Sequence, residues 1–420
     1  MTTSPDSAAP LSDYFAVSAL GIEPITADEL IALGAQNVEP NIGGVKFRGD
    51  RALLYRAHLW ARTATRILQP LREFAATTPE MLYSQVRRVR WEDYLNPQKT
   101  FAISATRAGQ SRRNQENENP ESGNRPRGRG KPAAARPGRP RDSESDGLQN
   151  TQYAALKIKD AVVDRLRREQ GARPNVDRHH PDIAIQAHFA AGRCILSLDA
   201  TGPSLHERGY RISTTEAPLK ETLAAAILAW SGWEGKVPLV DPMCGSGTLV
   251  IEAAFRAMQV APGLSRQEFA FERWPDFDAG LWQQLRSAAV AQRLPVSPVP
   301  LFGSDSDPAA IVAATANARA AGLADALQFS VMAAEQLPAP TSEPGLLVFN
   351  PPYGTRLGNE DELRHVYRQW GEAWPRQFAG WTVVMLAGNL GLARELGLRA
   401  DEKLRVCNGP LDCRLLKFRL

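Results

Sequence analysis

At Val237-Pro-Leu-Val-Asp-Pro-Met-Cys-Gly-Ser-Gly-Thr248 the sequence passes from a short apolar strand, through an acid and a glycine-rich turn, into a helix. Glycines let the backbone approach a ligand closely, and a helix N-terminus offers unsatisfied N–H groups. Strand, acid, glycine turn and helix together are typical of the nucleotide-binding opening of a doubly wound α/β sheet. The stretch therefore predicts an α/β domain, with ligand contacts at Asp241, Met243, Cys244, Gly245, Ser246, Gly247 and Thr248.

The kind of ligand is indicated by what this turn lacks. A P-loop needs a lysine in the turn, which is missing, and a dinucleotide fingerprint needs a third glycine where Val250 stands. An acid placed directly before the glycines suits a ligand with an ammonium or sulfonium charge, and S-adenosylmethionine fits that description. Asp305 ends the next predicted strand, Leu301 to Gly303, and is expected to accept hydrogen bonds from ribose hydroxyls. Asp307 is expected to cap the helix that follows.

A second motif, Asn350-Pro-Pro-Tyr353, follows the apolar strand Gly345 to Phe349. Consecutive prolines forbid a helix, so the strand ends in a turn that presents a carboxamide, backbone carbonyls and an aromatic ring. By itself the tetrapeptide is a common turn signal. Combined with the glycine turn, it predicts methyl transfer to a planar group carrying an NH2. The expected catalytic residues are Asn350, Pro351, Pro352 and Tyr353, and Asn350 is also expected to contact the cofactor.

Composition limits the class of protein. With 420 residues, 43% hydrophobic and 23% charged, the chain allows two or three ordinary domains. No apolar run reaches membrane-spanning length, and the polar segment Met1 to Pro10 does not resemble a secretory signal, so we expect a cytoplasmic protein without membrane contact. Four cysteines and six histidines lack paired metal-ligand spacing, so we expect reduced thiols and no metal site.

The N-terminal part has the order of a ferredoxin-like element. Apolar residues at helical spacing predict a helix over Ile22 to Leu33, and Asp50 is expected to cap a second helix. Val38 to Phe47 is typical of a hairpin, and Ile67 to Phe74 of a closing strand. The resulting β-α-β-β-α-β order is the ferredoxin-like one.

A second unit begins near Thr77 and contains a segment, residues 107–150, made of Arg, Gly, Pro, Ser and Asn with hardly any apolar side chain. Such a composition cannot bury enough surface to offset chain entropy, so we expect disorder. Gly-Arg segments follow a phosphate backbone without sequence preference, although an insertion of no function explains it equally well. The next helix, from Thr151, carries a basic face that includes Lys157. That face is either simply solvated or, with the insert, part of a polyanion-binding surface.

The two motifs, Asp241 to Thr248 and Asn350 to Gly354, resemble those of class I RNA methyltransferases that carry a THUMP domain. Further segments are similar to the N-terminal half of the RlmL family of bacterial large-subunit rRNA guanine-N2 methyltransferases: Leu205-His-Glu-Arg-Gly-Tyr-Arg211, Arg173-Pro-Asn-Val-Asp-Arg178 and Asn408-Gly-Pro-Leu-Asp-Cys413. The resemblance runs from about Tyr14 to Phe418, outside the insert. It implies a Rossmann-like class I methyltransferase domain at 202–420, preceded by α+β domains: a ferredoxin-like element at 1–76 and a THUMP domain at 77–201.

The resemblance also implies a cofactor and a partner. The cofactor is S-adenosylmethionine, the acceptor is guanine N2, and the partner is 23S rRNA or a pre-ribosomal particle. The family places an Asp after its third strand against the adenine amino group; Val331 to Glu335 has alanine there, so Glu335 or a backbone contact is expected instead. Enterobacterial relatives continue into a second methyltransferase domain beyond the point matching Leu420, so we expect this chain not to encode that second activity. RNA contacts are expected at Lys157, Arg208, Arg211 and Arg356.

Other functions fit the same motifs. The Asn-Pro-Pro-Tyr tetrad is similar to that of adenine-N6 and glutamine-N5 methyltransferases, because all these acceptors present a conjugated NH2, and a tRNA guanine is a further candidate. A non-catalytic RNA-binding assembly factor that kept the fold is the alternative from another class. The RNA-binding half of the chain and the longer sequence matches argue against the adenine-N6 and glutamine-N5 methyltransferases, and the intact Asn350 and glycine turn argue against loss of activity.

Overall fold

The computed structural model describes residues 10–108, 147–214, 219–352 and 360–420. The chain divides into two compact units. The first contains the residues up to Leu68 together with Thr201–Glu272 and Asp278–Leu420, and the second contains Gln69–Ala200 and Arg273–Phe277. The N-terminal element therefore groups with the C-terminal half of the chain. The predicted boundaries at 76 and 201 stay a prediction.

The N-terminal element of the first unit has the predicted ferredoxin-like order. Its elements are β1 (Ser12–Val17), α1 (Glu23–Ala32), β2 (Gln36–Asn41), β3 (Gly44–Gly49), α2 (Arg51–Trp60) and β4 (Arg66–Ala75). Antiparallel pairing places β1 between β3 and β4, in the order β2-β3-β1-β4. Asp50 caps α2 as predicted, because its Oδ1 accepts from the Leu53 N–H at 2.7 Å.

The second unit is a smaller α/β layer. Beyond Gln69, β4 continues beside a sheet in the order β8-β7-β5-β6. Its elements are α3 (Pro79–Val86), β5 (Thr100–Arg107), α4 (Thr151–Gln170), β6 (Asn175–Val176), β7 (Ile183–Ala190) and β8 (Arg193–Asp199). Trp91 is fully buried. The predicted disordered segment was drawn too wide: Arg107 belongs to β5 and Asn150 caps α4, while the rest of that prediction, residues 109–146, lies outside the described residues.

The C-terminal half of the first unit is a seven-stranded doubly wound sheet. Its elements are α5 (Glu221–Ser231), β9 (Leu239–Asp241), α6 (Thr248–Ala257), α7 (Ala279–Ala291), β10 (Leu301–Asp305), α8 (Pro308–Ala320), β11 (Gln328–Val331), β12 (Leu346–Phe349), α9 (Glu360–Gln377), β13 (Thr382–Ala387), α10 (Leu390–Arg394), β14 (Glu402–Asn408) and β15 (Leu411–Arg419). The strand order is β11-β10-β9-β12-β13-β15-β14, and β15 runs antiparallel to both neighbours. The predicted α/β class is confirmed.

Aromatic side chains of the segment between α6 and β10 are packed into the core of the first unit. Phe269 and Phe271 are buried and stack with ring centroids 5.5 Å apart, and Trp282 meets Phe271 edge-on at 5.1 Å. Tyr55 on α2 stacks on Phe271 at 4.6 Å, so this segment holds the N-terminal element to the sheet domain.

No helix among the described residues is both long and apolar enough to cross a membrane.

Candidate active site

The two motifs meet at one edge of the sheet. Strands β9, β10 and β12 are parallel, with Gly303 opposite Asp241 and Leu347 opposite Val240. Their carboxyl ends therefore lie at the same edge, where Asp305 and Asn350 follow. The chain leaves β9 towards β10 on one side and returns to β12 on the other. Ligands of open α/β sheets bind in the crevice at such a switch in strand order.

Two glycines give the turn after β9 its shape. Gly245 has φ +53° and Gly247 φ +85°, backbone conformations that favour glycine. A Cβ at Gly247 would lie 3.1 Å from the Cβ of Ala314, so the turn packs closely against α8. The Gly245 N–H donates to Asp305 Oδ2 at 2.9 Å, which ties the turn to the end of β10.

Asp241 is a buried carboxylate. Its side chain is 2% exposed, and Oδ1 accepts from the Met243 N–H at 3.2 Å. Burial raises the pKa of Asp241 well above its ordinary value, and nearby Asp305 raises it further. A cationic group bound beside this carboxylate would offset the cost of its charge. The site therefore favours the ammonium or sulfonium ligand that the sequence predicts.

The carboxylate of Asp305 holds two backbone N–H groups at the carboxyl end of β10. Besides Gly245, it accepts from the Asp307 N–H through Oδ1 at 3.0 Å. Each carboxylate oxygen can accept a second hydrogen bond, so a ribose contact stays compatible with this geometry. Asp307 caps α8, as predicted, by accepting from the Ala309 N–H at 2.8 Å.

Cys244 lies in the turn as a buried thiol. Its backbone N–H donates to the Ser304 carbonyl at 2.8 Å, so the turn is anchored to β10 at a second point. Burial raises the pKa of Cys244 well above its ordinary value, and Asp241 and Asp305 raise it further. The thiol therefore stays protonated and acts as an apolar filler.

Arg211 does not have the role predicted for it. Its guanidinium donates to Ser246 Oγ at 3.1 Å, to Thr248 Oγ1 at 3.0 Å and to Glu221 Oε1 at 2.8 Å. It also donates to the Leu219 carbonyl. These bonds commit the planar fork of donors to the glycine turn and its neighbours instead of RNA. We therefore replace the RNA-contact prediction for Arg211 with a role in holding the turn.

The predicted RNA contact of Arg208 is wrong, because this side chain is buried. Its side chain is 2% exposed and forms an ion pair with Glu252 Oε1 on α6 at 3.4 Å. It also donates to the Arg62 carbonyl at 2.6 Å. Burial raises the pKa of Glu252, opposed by the charges of Arg208 and Arg62. Arg208 thus joins the N-terminal element to the sheet domain, and it is not available to RNA.

Asn350 presents the feature that the second motif predicts. Its Oδ1 is buried and has no hydrogen-bond partner in the part of the chain that the structure describes. Buried acceptors are normally paired, so an orphan acceptor at the crevice indicates a ligand donor. Pro351 is buried, and the carbonyl of Pro352 accepts from the Tyr367 hydroxyl at 3.2 Å. The predicted residues Tyr353 and Arg356 lie outside the described residues.

The segment after β11 follows beside the crevice. The Met332 N–H donates to the Asp305 carbonyl at 2.9 Å. Trp374 Nε1 on α9 donates to the Ala334 carbonyl at 3.0 Å, and Gln377 Nε2 to the Glu335 carbonyl at 2.9 Å. Glu335 is half-buried, and its contact with an adenine ring stays a prediction.

Lys157 lies on the basic face of α4 in the second unit. It borders a groove whose charged lining also includes Lys159, Arg167 and Arg173 together with Asp160 and Asp164. Its Nζ lies 5.6 Å from the centroid of the Tyr153 ring. Its contact with RNA stays a prediction. In the described ranges, no cluster of His, Cys, Asp or Glu is arranged to hold a metal ion.

Sequence reasoning missed two residues that build the site. Asn317 on α8 is fully buried; its Nδ2 donates to the Ser246 carbonyl at 3.0 Å, and its Oδ1 accepts from the Ile212 N–H at 2.9 Å. It therefore fixes the segment after Arg211 to the glycine turn. Its signal was a lone asparagine among alanines. Tyr367 is the other, and its signal was the aromatic spacing of α9.

Three family descriptions match this chain. "RMKL-like, methyltransferase domain" matches residues 208–417, "RlmL ferredoxin-like domain" matches 13–68, and "THUMP domain" matches 142–199. Together they match parts of both compact units.

Curated relatives match along nearly the whole chain. A protein of Synechocystis named "Putative RNA methyltransferase slr0064" is 39% identical over 97% of this chain and 96% of its own length. The "Ribosomal RNA large subunit methyltransferase K/L" of Syntrophotalea carbinolica is 41% identical over 96% of this chain but only 53% of that protein. The chain thus spans about half the length of its K/L relatives.

A solved structure shows the same architecture. The crystal structure of SMU.472 complexed with SAH superimposes with a TM-score of 0.81 and 30% identity, covering 97% of this chain and 98% of that one.

Proposed function

Because this chain belongs to the RMKL-like methyltransferase family, with RlmL ferredoxin-like and THUMP domains, we propose that it transfers a methyl group from S-adenosylmethionine to the exocyclic N2 of a guanine in 23S rRNA. The observation that carries methyl transfer to an amino group is the buried, unpartnered Oδ1 of Asn350. It lies just past the end of β12, beside the switch in strand order.

The side chains at the carboxyl ends of β9 and β10 fit the proposed cofactor. S-adenosylmethionine supplies an electrophilic methyl group on a cationic sulfur. Asp241 offers a buried carboxylate to a cationic group, and Asp305 offers acceptors to ribose hydroxyls. Gly245 and Gly247 allow the positive φ values of the turn beside the crevice, and Gly247 lets the turn pack against α8. Asn350 is close enough in the sheet register to border the same ligand.

The acceptor amine is held by oxygens and not deprotonated beforehand. The lone pair of a guanine N2 is delocalised into the ring, so the nitrogen is a poor nucleophile. When Asn350 Oδ1 and the Pro351 carbonyl accept its two hydrogens, the nitrogen becomes pyramidal and its lone pair is aimed at the methyl group. Positioning of this kind supplies most of the rate, and the proton leaves after transfer. The base must leave its helix to reach the crevice.

The choice of guanine rests on the resemblance of the sequence to the RlmL family, not on Asn350, and the relatives' names support only ribosomal RNA as the substrate. Any conjugated NH2 would satisfy the same two acceptors. The relatives of Syntrophotalea and Aeromonas are named for large-subunit ribosomal RNA, and we extend that substrate to this chain.

The test combines nucleoside analysis with a variant. Ribosomal RNA from a strain lacking the gene is incubated with the full chain and methyl-labelled S-adenosylmethionine, then digested to nucleosides. We expect label in N2-methylguanosine. Asn350→Ala should lower kcat about 100- to 1000-fold, as loss of one preorganised polar group does elsewhere, while RNA affinity is unchanged. Label in N6-methyladenosine, or none, would refute the guanine assignment.

A matched control separates loss of the acceptor from loss of an amide in general. Asn41, at the end of β2, makes an exposed hydrogen bond to the Glu39 carbonyl. Asn41→Ala should therefore transfer methyl at the wild-type rate. Wild-type turnover by Asn350→Ala would contradict the role of Asn350.

A further inference from the structure

The Asn350-Pro-Pro352 turn cannot hold itself in place. Pro351 and Pro352 have no N–H, so neither can donate a backbone hydrogen bond to fix the turn. Catalysis by Asn350 nevertheless needs its Oδ1 held in direction to within a small angle. The turn must therefore be held by groups outside it.

Helix α9 supplies such groups from one face. Phe349, the residue before the turn, is fully buried, and its ring meets the indole of Trp374 edge-on at 5.0 Å. Trp374 stacks in turn on Trp370 at 5.5 Å, and Trp370 lies against Tyr367 at 4.7 Å. The Tyr367 hydroxyl then donates to the Pro352 carbonyl at 3.2 Å. Packing therefore holds Phe349, the residue before the turn, and one hydrogen bond holds Pro352, the last residue of the turn.

We propose that Tyr367 is a positioning residue for methyl transfer: its hydroxyl holds the Pro352 carbonyl and so keeps Asn350 Oδ1 and the Pro351 carbonyl directed at the acceptor amine. This inference rests on the proposed function. Tyr367 is 2% exposed, so it acts through the turn and does not touch RNA. Its bond to Pro352 also engages a carbonyl that could otherwise compete for the amine hydrogens.

The same helix face reaches the segment after β11. Trp374, seven residues from Tyr367 and so about 10 Å further along the helix axis, donates through Nε1 to the Ala334 carbonyl at 3.0 Å. One rigid element therefore ties the turn that receives the amine to the segment expected beside the adenine ring. Helix α9 therefore fixes the position of the amine-binding turn relative to the segment expected to contact the cofactor.

The test removes only the hydroxyl. Tyr367→Phe should lower kcat about tenfold, the cost of one lost hydrogen bond in transition-state alignment, with unchanged KM for S-adenosylmethionine and for rRNA. The rates come from initial velocities of label transfer. A merely structural role would instead lower the unfolding temperature and reduce the active fraction without this split between kcat and KM.

Tyr55→Phe is the matched control. Tyr55 is also a buried tyrosine of the first unit, and its hydroxyl accepts from the Asp278 N–H at 2.9 Å, away from the crevice. Tyr55→Phe also loses one hydrogen bond between a tyrosine hydroxyl and the backbone, although this hydroxyl accepts instead of donating, so its unfolding temperature should fall while kcat stays at the wild-type value. A tenfold loss of kcat in Tyr55→Phe as well would overturn the specific role of Tyr367.

A double-mutant cycle tests whether Tyr367 acts through Asn350. If it does, adding Tyr367→Phe to Asn350→Ala should lower the rate by clearly less than the tenfold it costs alone, because one of the two acceptors that Tyr367 directs is already gone. Fully multiplicative losses would overturn the proposal, and so would wild-type kcat in Tyr367→Phe. Absence of transfer by the wild-type chain to any rRNA would instead refute the proposed function, and the role of Tyr367 with it.

Discussion

Two buried oxygen acceptors at the crevice differ in charge, and the difference matches their tasks. Asp241 carries a carboxyl that is ionised only at a cost, and a cationic ligand offsets that cost. Asn350 carries a neutral amide, whose accepting ability does not change with pH. A carboxylate at 350 would add a second buried charge beside the first. The amide instead accepts hydrogens from a neutral amine without taking a proton.

Asp241→Asn should make the ligand-free protein more stable at neutral pH. The folded-state pKa of Asp241 is raised above the ordinary value of 3.8. Stability is therefore greatest below that value and falls as pH rises through the raised pKa. Asparagine keeps the acceptor for Met243 and removes the charge, so we expect a gain of about 1–3 kcal/mol at pH 7. Thermal unfolding across a pH series measures it, and the gain should vanish near pH 4.

The same variant should lose the cofactor. Calorimetry with S-adenosylmethionine should show at least a tenfold weaker affinity, because the cationic group no longer meets a carboxylate. A variant that is both less stable at neutral pH and equally tight in cofactor binding would contradict our account of Asp241.

At the scale of elements, local patterns were predictable and long-range anchors were not. Helices, strands and caps such as Asp50 and Asp307 follow from residues within one or two turns of each other. The positions of Asp241 and Asn350 at the carboxyl ends of strands were also predictable, since Asp241 ends β9 and Asn350 directly follows β12. Arg208 was not, because its partners Arg62 and Glu252 lie 146 and 44 residues away. An arginine's sequence neighbours do not reveal whether its charge faces RNA or a buried acid.

The glycine turn shows the consequence for function. Arg211 lies 35 and 37 residues from the two hydroxyls it donates to, and Asn317 lies 71 residues from the Ser246 carbonyl. Both side chains lock the turn from outside the motif. The motif therefore indicates the kind of ligand, whereas residues remote in sequence fix the shape of the glycine turn.

Arg211→Ala should weaken cofactor use and leave RNA binding unchanged. Loss of the donors to Ser246 and Thr248 frees the turn, so we expect the KM for S-adenosylmethionine to rise about tenfold, which corresponds to 1.4 kcal/mol. Arg211→Lys should recover only part of this, since an ammonium lacks the planar fork.

Exposed Arg405, which pairs with Asp412 at 3.0 Å, gives the control. Arg405→Ala should behave like the wild type in the same steady-state assay. An Arg211→Ala variant that loses RNA affinity while keeping its KM for the cofactor would restore the original RNA-contact prediction for Arg211.

At the scale of the whole molecule, some basic side chains are bonded to internal partners and others lie at the surface. The net charge is only +4. In the first unit, Arg62, Arg208 and Arg211 are committed to internal partners: Arg62 donates to the Val260 carbonyl at 2.8 Å, and burial lowers its pKa to about 10. In the second unit, Lys157 on α4 is partly exposed, and Lys159 pairs with Asp160 at 3.0 Å. Lys157 on α4 is therefore a better candidate for contact with a polyanion than Arg62, Arg208 or Arg211.

Lys157→Ala should weaken RNA binding through its charge alone. A lysine that contacts a phosphate releases counterions on binding, so its removal should lower the affinity and reduce the slope of log affinity against log salt by about 1. Cofactor affinity should not change. Fluorescence anisotropy with labelled rRNA over a salt series measures both quantities. Lys236, an exposed lysine paired with Glu234 at 2.6 Å in the first unit, is the matched control. If Lys236→Ala reduces the slope as much as Lys157→Ala, the effect reflects net charge, and the basic face of α4 is not the RNA-binding surface.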